Sequence, residues 1–386
     1  MARDIVIGLD IGTSAVKIAA IEIRSSGELH ILTTAQKPSS GLRRGYIVDQ
    51  DAVIESIRKT AKEAERLTNM PIKHAYLAVG GAKLETVRNR GNVIVSRADN
   101  EITSTDVKRA VSQAEAGLNK ITNKTIIHRI PFAFKVDGEI VTGRPVGIKG
   151  EKLEADVLFI TCFSQHLEDR VKSAEAAGIA VDDVVAGPFA ASFAALTKHQ
   201  KEVGAILIDI GAETTSMAVF EENNLISLEV FPFGSAHITN DIAIGLQVPL
   251  EEAEELKFNY ISDNQKRKLG DIIEARLDDI FELIETHLKK IGRNQLLPAG
   301  AVLIGGGANL LNIENLAKTN LKLPAKVGNP AIPLKISDKQ IYNPKWTTCL
   351  GLCVFGSDES LNPDPENPGP RRPPNPILNW LKHFVP

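Results

Sequence analysis

Residues 5–22 read IVIGLDIGTSAVKIAAIE. A short apolar run leads to Asp10, the chain turns at Gly12, and a second apolar run follows that carries Lys17. Two apolar runs joined by an acidic glycine turn predict a β-hairpin. Glycine at such a turn lets backbone N–H groups approach a ligand closely, and grouped N–H donors suit a phosphate. Most acidic glycine turns only connect two strands, so this stretch alone is compatible with a purely structural turn and with a phosphate-binding turn.

The same pattern recurs in the second half of the chain. Residues 206–221 read ILIDIGAETTSMAVFE, which aligns Asp209 with Asp10. Repetition of such a unit predicts two similar domains. A third glycine turn follows an apolar run at residues 301–311, AVLIGGGANLL. Consecutive glycines allow close backbone approach, and a helix starting behind them adds a positive dipole end, so three turns of this kind can enclose one nucleotide.

Composition excludes several classes of function. The chain has 386 residues with 43% apolar and 24% charged side chains, which is enough for two cores in an ordinary globular protein. Its formal net charge of −3 does not favour binding to nucleic acid, which usually requires an excess of basic residues. The three cysteines, Cys162, Cys349 and Cys353, lie among apolar neighbours and are interpreted as small buried hydrophobes in a reducing compartment. With neither an apolar signal core nor a run long enough to cross a bilayer, the chain is expected to stay in the cytoplasm.

Strand and helix patterns alternate along the first half, which predicts an α/β domain. Residues 52–68 predict a helix capped by Asp49 or Asp51. Residues 82–161 differ in character: strand, a helix with a capping box at Thr103 and Asp106, and two more strands predict a compact α+β insertion. No glycine turn or acid cluster marks this insertion as catalytic, so it is interpreted as a scaffold or contact module.

The second half is predicted with more helix. A polar link at 198–202 precedes the second hairpin, and 249–297 is helical, with a basic turn at 266–268 before a long helix at 272–291. A last helix is predicted at 346–355.

The tail separates into two parts. Residues 357–376 are rich in proline and polar side chains and predict a disordered, extended linker. On a helical wheel the apolar side chains of residues 377–386 occupy an arc of about 160°; they are Ile377, Leu378, Trp380, Leu381, Phe384 and Val385. This pattern favours an interfacial membrane anchor over a helix that packs back on its own domain, and so short an anchor binds weakly as a monomer.

The three glycine turns resemble the phosphate and adenosine motifs of the actin-like ATPase superfamily, in which two ribonuclease-H-like domains close on ATP and magnesium. Within it, the order of segments and the place of the α+β insertion resemble the FtsA family of bacterial cell-division proteins. The resemblance implies an α/β, actin-like fold with these parts: a first domain at 1–81 and 162–197, its insertion at 82–161, a second domain at 198–248 and 300–356, a helical insertion at 249–299, the linker at 357–376 and a membrane-targeting helix at 377–386.

The resemblance also implies roles for single residues. Asp10 and Asp209 would hold magnesium through water. Phosphate oxygens would be met by Gly12, Thr13, Ser14, Lys17, Gly211, Ala212, Glu213, Thr214 and Thr215, with Gly234 bordering them. Adenosine would be lined by Gly305, Gly306, Gly307 and Ala308, and its ribose and base met by Glu254 and Lys257.

One position departs from the superfamily pattern. MreB-like relatives carry an acid directly before the proline of the segment that here reads Ala186-Gly187-Pro188, and this acid activates the attacking water. Glycine stands there in this chain. Asp182, Asp183 or Glu213 would have to orient the water instead, so slow or negligible ATP turnover is expected.

The resemblance implies an ATP-binding protein that forms filaments on the cytoplasmic face of the cell membrane at the division site. It would tether the FtsZ ring by the FtsZ C-terminal peptide and recruit later divisome proteins. Arg276, Lys289 and Lys290 on the predicted long helix could meet an acidic peptide. Two alternatives stay open: a pilus-assembly protein similar to PilM, which lacks a membrane helix of its own, and a small-molecule kinase of the same superfamily.

Overall fold

The computed structural model describes residues 4–118, 122–258, 263–329 and 342–361. Its strands are β1 (Asp4–Ile11), β2 (Ala15–Ile23), β3 (Leu29–Pro38), β4 (Leu42–Arg43), β5 (Tyr46–Ile47), β6 (His74–Val79), β7 (Glu85–Ile94), β8 (Lys124–Val136), β9 (Glu139–Val141), β10 (Lys152–Phe163), β11 (Ala180–Ala186), β12 (Ala205–Ile210), β13 (Thr215–Glu221), β14 (Asn224–Phe231), β15 (Gly300–Ile304) and β16 (Ala325–Val327). Its helices are α1 (Gln50–Thr68), α2 (Ser104–Ala116), α3 (Ser164–Ala176), α4 (Gly187–Ala195), α5 (Lys198–Val203), α6 (Ser235–Leu246), α7 (Leu250–Phe258), α8 (Asp263–Lys290), α9 (Ile313–Leu321) and α10 (Thr347–Leu361).

Both predicted hairpins are present, and the repetition extends well beyond them. The first sheet has the strand order β11-β6-β1-β2-β3, and the second has the order β16-β15-β12-β13-β14. In each sheet the hairpin is antiparallel and the neighbour on its other side, β6 or β15, runs parallel to the first hairpin strand. The two halves therefore correspond strand by strand, although sequence similarity is visible only in the hairpins.

The insertion forms an antiparallel sheet of its own with the order β7-β10-β8-β9. Helix α2 begins with the predicted capping box, in which Thr103 N donates to Asp106 Oδ2 over 3.0 Å and Asp106 N donates to Thr103 Oγ1 over 3.3 Å. The apolar face of α2 is buried against the sheet, with Val107 and Val111 in the shared core. Strand β9 was not predicted, because three residues after a turn carry too little pattern to identify.

Three helix boundaries differ from the prediction. The basic segment 266–268, predicted as a turn, lies inside α8, whose apolar face from Leu269 to Leu288 is buried in the core of the second half. The predicted polar link at 198–202 is the short helix α5, which starts with a capping box between Thr197 and Gln200. In both cases a charged segment was predicted to be irregular although it is helical.

The third difference concerns the end of the described chain. Helix α10 continues to Leu361, so the predicted linker does not start at Ser357. Ser357 is buried and its Oγ donates to Val354 O over 2.7 Å, which satisfies the hydroxyl inside the helix. The first proline after Ser357 is Pro363, and the position before a proline disfavours helical backbone. The rest of the linker and the predicted helix at 377–386 lie outside the described residues.

The two halves share an apolar core around α4 and α10. One cluster joins Phe189 of α4 and Leu352 of α10 to Leu207, Ala218 and Val302 of the second sheet. Helix α10 also covers β1 and β2, where Cys349 and Cys353 are buried as predicted. In the segments described, no helix combines the length and apolar character needed to cross a membrane.

Candidate functional site: a cavity between two glycine turns

A cavity of about 650 Å³ lies between the two sheets, where the turns that follow β1 and β12 face each other. Asp10 and Asp209, at the ends of these strands, both line it. The predicted site residues that line the cavity are Asp10, Gly12, Thr13, Ser14, Lys17, Asp209, Gly211, Ala212, Thr214, Glu254, Lys257, Gly305 and Gly306. The predicted residues among them are separated by up to 296 positions, from Asp10 to Gly306, and meet in one place.

The first turn is tight and carries an ion pair. Gly12 N donates to Ala15 O over 3.1 Å, and a side chain on Gly12 would stand 2.9 Å from the same oxygen. Lys17 lies opposite Asp10 in the hairpin register, and its Nζ is 3.1 Å from Asp10 Oδ2. Burial opposes the charge of Lys17, but the carboxylates of Asp10 and Asp209 outweigh it and raise the lysine pKa.

The second turn repeats the geometry without the ion pair. Gly211 N donates to Thr214 O over 2.9 Å, and the position opposite Asp209 is Ser216. Asp209 accepts a hydrogen bond from Thr348 Oγ1 over 3.3 Å. Burial raises the pKa of Asp209 to about 6; the charge of Lys17 opposes this shift and that of Asp10 adds to it. A cation placed beside Asp209 would relieve the cost of its burial.

The third turn lies against Asp209. Gly305 has φ 85°, and a side chain there would stand 2.3 Å from Asp209 Oδ1, so only glycine fits. Gly306 faces open space, whereas Gly307 packs on Ile210 and Ala308 is buried. The predicted helix behind this turn is a short 3-10 helix, and α9 starts only at Ile313. Gly305 and Gly306 therefore present backbone to the cavity, and the next two residues support them.

Glu254 and Lys257 lie one turn apart on α7 and form a bonded pair. Lys257 is 2% exposed, and its Nζ is 2.6 Å from Glu254 Oε2 and 2.9 Å from Thr239 Oγ1. Burial lowers the pKa of Lys257, and the bonded Glu254 partly offsets this. The two side chains close the cavity on the side of the second half.

Three predicted phosphate residues support the second turn without lining the cavity. Glu213 accepts a hydrogen bond from the backbone amide of Arg44, which lies between β4 and β5 in the other half. Thr215 is buried in β13. Gly234 packs behind the turn, where a side chain would stand 2.6 Å from Ala212 O.

Neither of the other acids predicted to orient water reaches the cavity. Asp182 Oδ1 is 3.1 Å from His74 Nδ1, and Asp183 Oδ1 accepts a hydrogen bond from Val184 N over 2.8 Å. Both lie in the middle of β11, whereas the cavity is lined by Gly187, directly after the end of this strand. Among the described residues, the acids that line the cavity are Asp10, Asp209 and Glu254.

Arg170 of α3 lines the cavity and is buried, and it was not predicted from the sequence. Arg170 is 3% exposed, and its guanidinium donates to Ile11 O (3.1 Å), Ala78 O (3.3 Å) and Gly45 O (2.9 Å). Burial lowers its pKa to about 10. It ties together three chain segments at the edge of the cavity. In the sequence it looks like any charged residue of an amphipathic helix, so no signal identifies it.

Lys345, Thr348 and Gly80-Gly81 also line the cavity and were not predicted. The glycine pair that follows β6 was visible in the sequence as an end of a strand, and reading it by analogy with the other glycine turns would have found it. Lys345 and Thr348 lie just before and within α10, where nothing in the sequence points to a ligand.

The three basic residues predicted to meet an acidic peptide are all on α8. Arg276 is bonded to Asp241 (Nε to Oδ2, 2.6 Å) and Lys289 to Glu285 (2.9 Å). Lys290, beside Lys289, ends the helix. No cluster of three or more His, Cys, Asp or Glu side chains suited to a metal ion occurs within the described ranges, so a metal in the cavity would need ligands from water or phosphate as well as from the two aspartates.

Comparison with known protein families matches two parts of the chain. Residues 206–351 match the family described as "Cell division protein FtsA", and residues 81–161 match the "SHS2 domain inserted in FTSA". The FtsA protein of Bacillus subtilis is 33% identical over 92% of this chain and 83% of its own length. That of Borreliella burgdorferi is 30% identical over 93% and 92%, and that of Pseudomonas aeruginosa 28% identical over 98% and 97%.

Solved structures show the same architecture. The PilM–PilN type IV pilus biogenesis complex contains a chain that matches with a TM-score of 0.69 at 20% identity, covering 91% of this chain and 98% of that one. MreB5 of Spiroplasma citri, in a structure bound to ADP, matches with a TM-score of 0.53 at 12% identity, covering 93% and 99%. The prediction of an actin-like fold with an α+β insertion is confirmed.

Proposed function

The chain belongs to the FtsA family of cell-division proteins, and on this premise we propose that it binds ATP with magnesium, polymerises at the cytoplasmic membrane and tethers the FtsZ ring. The observation that carries the nucleotide part is the position of Asp10 and Asp209, which line one cavity of about 650 Å³ from opposite halves of the molecule. A cavity of this size suits a nucleotide, and its three glycine turns offer backbone donors to phosphates.

We assign the phosphates to the first two turns. Gly12, Thr13 and Ser14 would donate from one half, and Gly211, Ala212 and Thr214 from the other. Lys17 adds a compact positive charge between the two aspartates. Glu213, Thr215 and Gly234 would act indirectly, by holding the second turn in shape.

Magnesium fits beside Asp10 and Asp209, which would hold it through water. Burial raises the pKa of Asp209 even though the charge of Lys17 opposes the shift, so a further cation beside this carboxylate would relieve part of the cost of its burial. When bound, the ion would neutralise charge on the terminal phosphates. The protein's own part is to orient the two carboxylates: Thr348 Oγ1 donates a hydrogen bond to Asp209, and Lys17 forms an ion pair with Asp10.

The adenosine would lie between the third turn and α7. Gly305 and Gly306 offer a flat backbone surface, and Gly307 and Ala308 support it from behind. On the other side, the buried Lys257 holds Glu254 at the cavity wall, where its carboxylate can accept a hydrogen bond from ribose.

We propose that hydrolysis is slow, and that ATP biases a conformation or a filament. Gly187 lines the cavity where MreB-like relatives carry an acid, and Asp182 and Asp183 are engaged elsewhere. Glu213 is bonded to the amide of Arg44. A general base must lie within hydrogen-bond reach of the water, directly or through one more water, which disfavours all three.

Membrane attachment and the division of the chain into domains are part of the same proposal. Residues 377–386 would insert their apolar face into the cytoplasmic leaflet, and the preceding linker would allow reach. The domain boundaries would be those predicted from the sequence, with the linker shortened to begin after Leu361. The FtsZ C-terminal peptide would bind the helical insertion near Lys289 and Lys290, and later divisome proteins would be recruited to the assembled filament.

Vesicle co-sedimentation tests the tethering role. The full chain with ATP and Mg²⁺ is mixed with vesicles of anionic phospholipid and a labelled FtsZ C-terminal peptide. We expect the peptide to sediment only when the protein is present, and Trp380→Glu or deletion of 377–386 to abolish this. Lys289→Glu combined with Lys290→Glu is expected to release the peptide but keep the protein on vesicles, whereas the exposed control Lys326→Glu changes neither. Absence of peptide binding by the unaltered protein would contradict the proposal.

The alternatives make different predictions. A PilM-like role shares the fold but needs no membrane helix, so vesicle binding that depends on 377–386 would count against it. A small-molecule kinase requires transfer of the terminal phosphate to a hydroxylated substrate, which a screen of such compounds would detect as ADP release well above the background without substrate.

A further inference from the structure

Lys345 lines the cavity but belongs neither to the repeated hairpins nor to the third glycine turn. It lies in the short segment that joins the second half to α10, and it lines the cavity together with Lys17 and Gly305. Its side chain is half-buried, and Nζ lies 5.3 Å from the centre of the Trp346 ring.

The main chain around Lys345 is fixed from both sides. Gly305 N donates to Pro344 O over 3.1 Å, which ties the segment to the third turn. Thr348 Oγ1 donates to Asp209 Oδ2 over 3.3 Å, which ties it to the second. Lys345 therefore starts from a defined position between the proposed adenosine side and the proposed phosphate side of the cavity.

Lys345 also differs from the other two lysines of the cavity in its charge partners. Lys17 is bonded to Asp10 and Lys257 to Glu254. The ion pairs found in the described parts of the chain give Lys345 no carboxylate. Burial lowers its pKa, and the positive charge of Lys17 lowers it further. An anion placed close to both ammonium groups would remove this repulsion.

We propose that Lys345 binds the phosphate nearest the nucleoside, and that it adds to the preference of the cleft for nucleotides over nucleosides. The inference rests on the proposed binding of an adenine nucleotide. The adenosine is assigned to the turn at Gly305 and the phosphates to the turn after Asp209. An ammonium group held between these two turns would therefore contact the phosphate that is attached to the nucleoside. Because Asp10 and Asp209 are assigned to magnesium, the contribution of Lys345 does not depend on the metal and persists when magnesium is chelated.

Binding constants of Lys345 variants test this assignment. Affinities for ATP, ADP and adenosine are measured by isothermal titration calorimetry on the full chain, each with Mg²⁺ and with EDTA. We expect Lys345→Met to weaken ATP and ADP by about tenfold each, in both buffers, because one charge-assisted contact is lost. Adenosine affinity is expected to stay unchanged. Lys345→Arg retains most of the affinity, and the exposed control Lys326→Met retains all of it.

Any other result shows which part of the proposal fails. If Lys345→Met binds ATP as tightly as Lys326→Met does, Lys345 makes no phosphate contact. If adenosine is weakened as much as ATP, the substitution disturbs the third turn, and the assignment to phosphate is overturned. If the unaltered protein binds no adenine nucleotide, the proposed function fails first and this inference with it. Thermal melts of all variants show whether each one is folded.

Discussion

Asp10 and Asp209 occupy the same position in two copies of one hairpin, yet their surroundings differ. Asp10 stands opposite Lys17 and is bonded to it over 3.1 Å. Asp209 stands opposite Ser216, and burial raises its pKa to about 6. One cross-strand residue thus separates a carboxylate that is ion-paired with a lysine from one that accepts a hydrogen bond from a hydroxyl. The backbone turn that suits a phosphate is the same in both halves, and the residue opposite the acid is a lysine in the first and a serine in the second.

Asp10→Asn is expected to have the largest effect on stability. The substitution removes the bonded partner of Lys17 from a largely buried ion pair and leaves only the charge of Asp209 to offset the ammonium group, at a cost of about 3 kcal/mol here. The measurement is urea unfolding without nucleotide or magnesium at neutral pH.

The matched control adds Lys17→Met to Asp10→Asn. Removing both charges is expected to recover a large part of the loss, since the buried unpaired ammonium is gone. If the single substitution unfolds at the same urea concentration as the unaltered protein, the pair contributes nothing and the contrast between the two turns disappears.

Asp209→Asn is expected to act in the opposite direction. An acid with a raised pKa in the folded state stabilises the fold fully only below its unfolded pKa, near 3.8, and this contribution is lost as pH rises to about 6. Without nucleotide or magnesium, Asp209→Asn is therefore expected to stabilise the protein by about 2 kcal/mol at pH 8. The gain is expected to shrink as the pH falls from 6 towards 4. A loss of stability at pH 8 would show that Asp209 is already compensated in the free protein.

Ser216→Lys tests whether the single cross-strand difference is sufficient. It copies the first hairpin into the second, and we expect the new ammonium to lower the pKa of Asp209 and stabilise the free protein by about 1 kcal/mol. Ser216→Met, which adds similar length without charge, serves as control. Equal unfolding curves for the two variants would show that side-chain length alone has the effect.

Glu213→Ala has the smallest expected effect on stability. Glu213 takes the place in the second turn that Ser14 has in the first, and its carboxylate accepts a hydrogen bond from the amide of Arg44 in the other half. Losing one partly exposed hydrogen bond to a carboxylate is expected to cost about 0.5 kcal/mol. Hydrogen exchange at the Arg44 amide is the direct measurement; we expect faster exchange in Glu213→Ala and not in Glu213→Gln. Unchanged exchange would mean that the turn does not hold the other half.

The sequence predicted the fold correctly where a hydrophobic pattern is bounded by residues with a specific backbone role, such as a turn glycine or a helix cap. Glycine turns after apolar runs identified the hairpins, and the capping box at Thr103 identified α2 at its first residue. Charged segments were misread: the basic stretch before Leu269 continues a helix whose buried face is what keeps it helical. Local charge does not reveal such tertiary packing.

For the site, sequence reasoning identified the residues on the turns but not those that reach the cavity from elsewhere. Arg170 and Lys345 come from helices or helix ends far away in the chain, and only the packed arrangement brings them to the two turns. Asp182 and Asp183 were predicted as candidates to orient the water, yet a strand spans more than 3 Å per residue and carries them away from the cleft.

The central claim, that the two aspartates act on one nucleotide, is tested most directly by a double-mutant cycle on magnesium-dependent ATP binding. Calorimetric affinities are measured for the unaltered protein, Asp10→Asn, Asp209→Asn and the double variant, all with Mg²⁺. We predict one ATP per chain, a loss of about 100-fold for each single variant, and a double variant hardly weaker than either single one, because both carboxylates hold the same ion. Losses that add fully, or two independent ATP sites, would contradict a shared clamp.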